Sequence, residues 1–166
     1  MAVKPVDPNQ DKSPLLRAGV WLIRKRPATW VLVNWGPKLD PRLMRLTGGR
    51  LRITGIGPTV VVKNTGAKSG KIRETPLAYF TEGDSVILVA SKGGAPSHPS
   101  WYHNLKANPD VEAWTDGKGE PYRAREAEGA ERQRLWDLAV KMYSGYADYQ
   151  RRVPDRTIPV MVLEPK

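Results

Sequence analysis

The hydrophobic pattern changes character near residue 59. Before that point, apolar residues come in short blocks separated by basic ones: 15–23, stopped by Arg24-Lys25-Arg26-Pro27, then 30–35, then 41–46. Ser13 and Pro14 suit the N-cap and first position of a helix over the first block. Asp40 and Gly48-Gly49 bracket the third block as a short helix. After residue 59, short β-branched and apolar runs predict strands over 59–64, 72–80, 85–91, 111–115, 121–126 and 157–163. Turn chemistry at 81–84 and 116–120 makes hairpins of two neighbouring pairs. Two helices interrupt the strands. One covers 101–107, and the other covers 131–143, where Leu135, Leu138, Ala139 and Met142 recur at helical spacing.

Six strands in antiparallel hairpins, with helices inserted singly, do not make a doubly wound α/β sheet. No βαβ alternation with a glycine-rich first turn is present. The pattern predicts an α+β domain built round a small antiparallel barrel of about six strands with flanking helices. The apolar last strand is expected at the sheet centre. The first fourteen residues hold three prolines and few large apolar side chains, which predicts a loose terminus.

Composition changes this picture at one end only. The 166 residues include 27 Lys+Arg and 17 Asp+Glu, a formal charge of +10. Residues 1–52 carry a net charge of +8, and residues 53–166 only +2. The chain therefore reads as a basic, Trp-containing helical arm (1–52) on a nearly neutral domain (53–166). Near-balance after residue 52, with no base-reading motif, argues against a nucleic-acid partner. The apolar block 15–23 is far shorter than the roughly 20 residues that cross a bilayer. It also lacks the small-residue cleavage site of a signal peptide, so a cytoplasmic protein is expected. Trp21, Trp30 and Trp35 lie among Arg and Lys, as in segments that dock at a membrane surface. Two readings of 15–35 stay open: peripheral attachment to the cytoplasmic membrane, or a cover over one end of the core.

The absence of cysteine removes disulfides, iron–sulfur clusters, thiolate zinc sites and cysteine nucleophiles. His98 and His103 are five residues apart with no adjacent carboxylate, a poor metal or hydrolase pattern. No metal is expected, and no nucleophile elbow, Walker A loop or paired carboxylates are visible. Two loops carry more information. The first, 63–73, combines Lys63, Lys68, Lys71 and Arg73 with Gly66, Gly70 and small hydroxyls, the chemistry that receives an anion. The second, 90–96, runs from an apolar strand through Gly93-Gly94 toward a helix start.

Read together, these loops and their neighbours resemble one family. The residues are NTGAKSGKIRETPL at 64–77, ASKGGAP at 90–96, PSWYHNLKANP at 99–109, MYSGYADYQ at 142–150 and RTIP at 156–159. In order and spacing they resemble the deazaflavin (coenzyme F420)-dependent nitroreductases of actinobacteria, over roughly residues 57–165. The resemblance implies the split β-barrel of flavin reductases and pyridoxamine-phosphate oxidases. It implies that Lys68, Ser69, Gly70 and Arg73, with Lys63 nearby, hold the cofactor's phosphate and oligoglutamate tail. It also implies that Pro76, Leu77 and Ala78 back the deazaflavin ring. Ser91, Lys92 and Gly93 would meet the ring and its linker, with Trp101, Asn104 and Lys106 completing the wall. Tyr143, Tyr146 and Tyr149 match tyrosines over the substrate face. Ala78 stands where the nitroimidazole-activating member has tyrosine, so that activity is not carried over.

The expected reaction is hydride transfer from reduced F420 to a hydrophobic conjugated acceptor: a quinone, an enone or lactone, or a nitro compound. Tyr143 and Ser91 are the candidate catalytic hydroxyls. FMN in place of F420, or a carrier that binds F420 without turnover, are the alternatives. The oligomeric state is not legible in the sequence.

Overall fold

The runs that are apolar at nearly every position form strands buried on both faces, and the barrel is arranged around them. The computed structural model describes residues 3–9 and 57–166. Its strands are β1 (Thr59–Thr65), β2 (Ile72–Glu82), β3 (Ser85–Val89), β4 (Asp110–Trp114), β5 (Glu120–Glu126) and β6 (Val160–Pro165). The helices among these residues are α1 (Ser100–Ala107), α2 (Gly129–Met142) and α3 (Gly145–Arg152), with one 3-10 turn at Lys92–Gly94. The strands close in the order β1-β2-β3-β6-β5-β4, every pair antiparallel. This is the split-barrel α+β fold.

In β3 and β6 the side chains alternate between two cores. Val86, Leu88, Met161 and Leu163 fill the barrel with Val60, Val62, Tyr122 and Trp101. Ile87, Val89, Val160 and Val162 face outward and are covered by Leu135, Trp136 and Ala139 of α2 and Tyr146 and Tyr149 of α3. β4 and β5 alternate buried with exposed residues, and their outer faces carry charge instead of a helix.

Three expectations need correction. The last strand begins at Val160, because Thr157 to Pro159 continue the preceding loop and the carbonyl of Pro159 accepts the Ala90 N–H at 2.9 Å. β3 ends at Val89, two residues early, where the chain turns toward α1. Residues 3–9 are not loose. Val3 is fully buried in the barrel interior, Val6 and Thr81 exchange backbone and hydroxyl hydrogen bonds, and Tyr79 donates to the carbonyl of Lys4. Prolines had suggested disorder, but a single apolar side chain found a hole to fill. The expectations for 15–35, for the helix at 41–46 and for the 52/53 boundary lie outside the described residues.

Candidate functional site

Strand register collects the predicted residues at one end of the barrel. β1 pairs with β2 from Thr59 opposite Ala78 to Thr65 opposite Ile72, whereas β2 pairs with β3 only from Tyr79 onward. The β1–β2 hairpin therefore projects beyond the end of β3, and residues 72–78 of β2 have no β3 partner. Beside this open seam, β3 gives way to the 90–99 segment, which leads into α1. Pro76 is buried, Leu77 half-buried and Ala78 exposed along the seam. The N-terminal residues 3–9 close the opposite end.

The 66–71 turn is braced from inside. Asn104 Nδ2 donates to Asn64 Oδ1 at 2.8 Å, and Asn104 Oδ1 accepts the Ala67 N–H at 3.0 Å. Asn64 Nδ2 in turn donates to the Val62 carbonyl and to Thr75 Oγ1. A buried amide pair of this kind is costly unless fully bonded, and here it fixes the turn to α1. Several backbone N–H groups of the turn are used internally: Gly66 donates to Lys71, Gly70 to Gly66, and Lys71 to Ser69 Oγ. Gly70 makes the turn at φ 63°. What the loop presents outward is mainly side-chain charge.

That charge is distributed unevenly. Lys63 faces Glu112 at 2.9 Å and Lys106 faces Glu126 at 2.9 Å. Arg123, Arg125, Arg134 and Arg151 also face carboxylates. Lys68, Lys71 and Arg73 are exposed and have no ion pair among the described residues. Burial raises the Tyr102 pKa, and the hydrogen bond its hydroxyl donates to the Glu126 carboxylate adds to this; the same carboxylate raises the pKa of Lys106. Lys63 and Lys106 thus already have partners on the barrel wall. Trp101 packs into the barrel core, and Asn104 acts through the shape of the turn.

The second loop is shaped by α3. Gly94, at φ 77°, lies so close that a Cβ would come within 3.0 Å of the Tyr149 carbonyl. The glycine thus serves loop-to-helix packing, a purpose the sequence did not reveal. Lys92 holds a left-handed φ of 49°, a conformation that costs a lysine about 1 kcal/mol. Its Nζ donates to Ser97 Oγ at 2.8 Å. The Ser91 side chain has no hydrogen-bond partner among the described residues.

The three tyrosines form one cluster. Tyr143 and Tyr146 meet edge-to-face at 5.1 Å, and the Tyr143 and Tyr149 hydroxyls are 2.9 Å apart. Tyr146 and Tyr149 are buried against α2 and the sheet, and burial pushes the Tyr146 pKa upward. Tyr143, half-buried between α2 and α3, is the most accessible of the three.

Sequence reasoning passed over Arg156 and Arg152. Arg156 Nη1 and Nη2 donate to the carbonyls of Ala90 and Ser91 at 3.4 and 3.0 Å, and Arg152 Nη1 donates to that of Gly93. Arg156 was visible only as part of a motif, because a contact 65 residues away leaves no local signal. Among the described residues no group of His, Asp and Glu could hold a metal ion.

A family model described as F420H(2)-dependent quinone reductase matches residues 40–165. The chain is 41% identical over 131 residues to an F420H(2)-dependent quinone reductase of Mycobacterium tuberculosis, covering 76% of this chain and 87% of the relative. A solved F420-H2 dependent reductase (FDR-A) is 51% identical and superposes with a TM-score of 0.59, covering 64% of this chain and 94% of that one. A second solved structure, a domain-swapped dimer, is 42% identical with a TM-score of 0.61, covering 83% and 99%.

Proposed function

The chain belongs to the F420H(2)-dependent quinone reductase family, and from that premise we propose how the open end of its barrel handles donor and acceptor. The enzyme is an F420-dependent reductase with a small-molecule quinone acceptor. When bound, reduced F420 supplies a hydride, and a proton completes reduction of the quinone oxygen.

The observation that carries this reading is the set of cations without carboxylate partners among the described residues. Lys68, Lys71 and Arg73 stand together on one projecting hairpin, where a ligand with a phosphate and several carboxylates would complete them. The seam of Pro76, Leu77 and Ala78 is apolar and open on one side, suited to the flat face of a ring. Ser91 and Lys92 flank it with a hydroxyl that has no hydrogen bond among the described residues and an ammonium held by Ser97. On the acceptor side, the Tyr143 hydroxyl is held by that of Tyr149, an arrangement that can donate to the developing oxyanion of a quinone. Placement of two rings and exclusion of water are the larger part of what the protein must do.

Titration with both cofactors tests the reading. F420 should quench or shift on binding, with FMN weaker by at least about tenfold. Tight FMN binding without F420 binding would overturn it, and F420 binding without turnover of a menaquinone analogue would leave a carrier. The Ser91→Ala, Tyr143→Phe double variant should lose about a hundredfold in kcat, the range for a positioned proton donor. Unchanged turnover would remove both hydroxyls from the chemistry.

A lipid-soluble quinone together with the basic, Trp-bearing 15–35 segment supports peripheral membrane attachment. No helix among the described residues is long and apolar enough to cross a membrane. Because residues 3–9 pack into the barrel, the test is Trp21→Ser, Trp30→Ser, Trp35→Ser in the full chain. Liposome partitioning should fall, and equal partitioning rejects the attachment.

A further inference from the structure

Arg156 is a half-buried cation with no carboxylate partner among the described residues, and its Nε is buried without a hydrogen bond. Burial lowers its pKa, yet a guanidinium stays charged in a protein. Such a group is normally neutralised by an acid. Here its donors go to neutral acceptors on a single segment: the Ala90 carbonyl at 3.4 Å, the Ser91 carbonyl at 3.0 Å and His98 Nδ1 at 2.8 Å. These acceptors sit at the two ends of the stretch that carries Ser91, Lys92 and Gly93. Arg156 is itself set in place, since Gln150 Nε2 donates to its carbonyl at 2.7 Å and its N–H donates to Val153.

A guanidinium can only donate, so the His98 nitrogen that meets it must accept. That leaves the proton on Nε2 and the ring neutral. The groups facing His98 are Arg156 from the segment after α3, Tyr102 and His103 from α1, and Glu126 at the end of β5. Only Glu126 favours the imidazolium, and burial, Arg156 and His103 together oppose it.

We propose that Arg156 and His98 form a latch on the 90–98 segment. Arg156 is a positioning residue that pins both ends of the loop, holds His98 as the Nε2–H tautomer, and so presents the Ser91 hydroxyl and the Lys92 ammonium in one arrangement to the cofactor. The proposal rests on the functional reading above for the identity of that ligand, but the latch itself is a property of the free protein. It also accounts for the strained φ of Lys92: a loop pinned at 90, 91 and 98, and bonded to Arg152 through the Gly93 carbonyl, has little freedom to relax.

The first test needs no cofactor. Long-range 1H–15N correlation of the free full-length enzyme near about pH 7.5 should show His98 with Nδ1 bare and Nε2 protonated. An Nδ1–H tautomer or an imidazolium there overturns the latch. The second test uses variants. Arg156→Lys keeps the charge but loses the fork, and should raise the F420 Kd and the KM for reduced F420 about tenfold. His98→Leu, which removes the acceptor, should do the same. His98→Asn, whose Oδ1 can take the place of Nδ1, should stay within about twofold of the wild type. Wild-type affinity in His98→Leu, or equal losses in His98→Asn and His98→Leu, overturns the proposal. Failure of the wild type to bind F420 would overturn the functional reading, whereas a wrong His98 tautomer overturns the latch alone.

Discussion

At the scale of single residues, Gly145 shows how closely packing and chemistry are joined. A Cβ there would stand 2.3 to 2.4 Å from the ring and hydroxyl of Tyr143, so the aromatic ring lies directly over the first residue of α3. The glycine does not adopt a left-handed φ, so alanine meets no backbone strain there and its cost is the displaced ring. Gly145→Ala should lower the melting temperature slightly as Tyr143 leaves its place against Tyr146, and displacement of Tyr143 from Tyr149 should lower kcat by about tenfold. A variant with normal turnover would show that Tyr143 need not sit where it does. His98 gives a second prediction at this scale. Its pKa is lowered, mainly by burial and then by Arg156 and His103, so below about pH 6.5 the folded state binds fewer protons than the unfolded chain. Its stabilising contribution is complete above that pH and is lost as the pH falls. Melting temperatures should drop between about pH 7.5 and pH 5.5, and His98→Asn should flatten the slope. A slope that survives the substitution belongs to other groups.

Among the elements, the N-terminal segment is the one whose role is least expected from its composition. Residues 3–9 cross the end of the barrel away from the projecting hairpin. They bond to Thr81 through Val6, to Tyr79 through Lys4, to Thr115 through the Lys4 N–H and to Lys141 through Asn9. Val3, fully buried, is the plug. Val3→Ala should cost about 2 kcal/mol, the worth of the lost methyl groups plus the cavity left behind. For a chain of this size that lowers the melting temperature by about 6 °C. F420 affinity should not change, because the plug and the seam lie at opposite ends. An affinity loss as large as the stability loss would mean that the two ends are coupled. The strands and α2 follow their sequence more directly, whereas α3 forms where no helix was predicted. Turn residues at 81–84 close β2 on β3, and the apolar stripe of α2 covers β3 and β6 as its periodicity requires.

For the whole molecule, the arrangement of charge matters more than its sum. Most strand and helix cations of the barrel wall are bonded to carboxylates, and surface pairs of this kind contribute little to stability. The hairpin cations at 68, 71 and 73 stand apart from that network, leaving one end of the barrel positive. Attraction of a polyanionic ligand to that end should be sensitive to salt, since the screening length shortens from about 10 Å at 0.1 M to about 3 Å at 1 M. The F420 Kd should rise about tenfold over that range. In the Lys68→Ala, Arg73→Ala double variant the rise should shrink to about threefold. Equal salt dependence in both proteins would place the anionic tail elsewhere.

What the sequence by itself determined was local. Six runs of β-branched and apolar residues, two hairpin turns and one amphipathic helix specify strands and a helix, because their periods depend only on neighbouring residues. The motif residues at 64–77 and 90–109 marked the two loops, and absent cysteine removed whole classes of chemistry. The tertiary structure alone decided which of these side chains are paired with one another. Lys63 and Lys68 read alike in the sequence, yet register sets Lys63 opposite Glu112, 49 residues away, and leaves Lys68 without an ion pair among the described residues. Asn104 and Trp101 lie on the same short helix, and folding spends one on bracing a turn and the other on the core. Arg156 and Val3 gave no periodic signal, because their partners are brought to them only when the barrel closes. Composition and spacing act over a few residues, whereas the pairing of a charge or the filling of a hole is settled by contacts between strands distant in the chain.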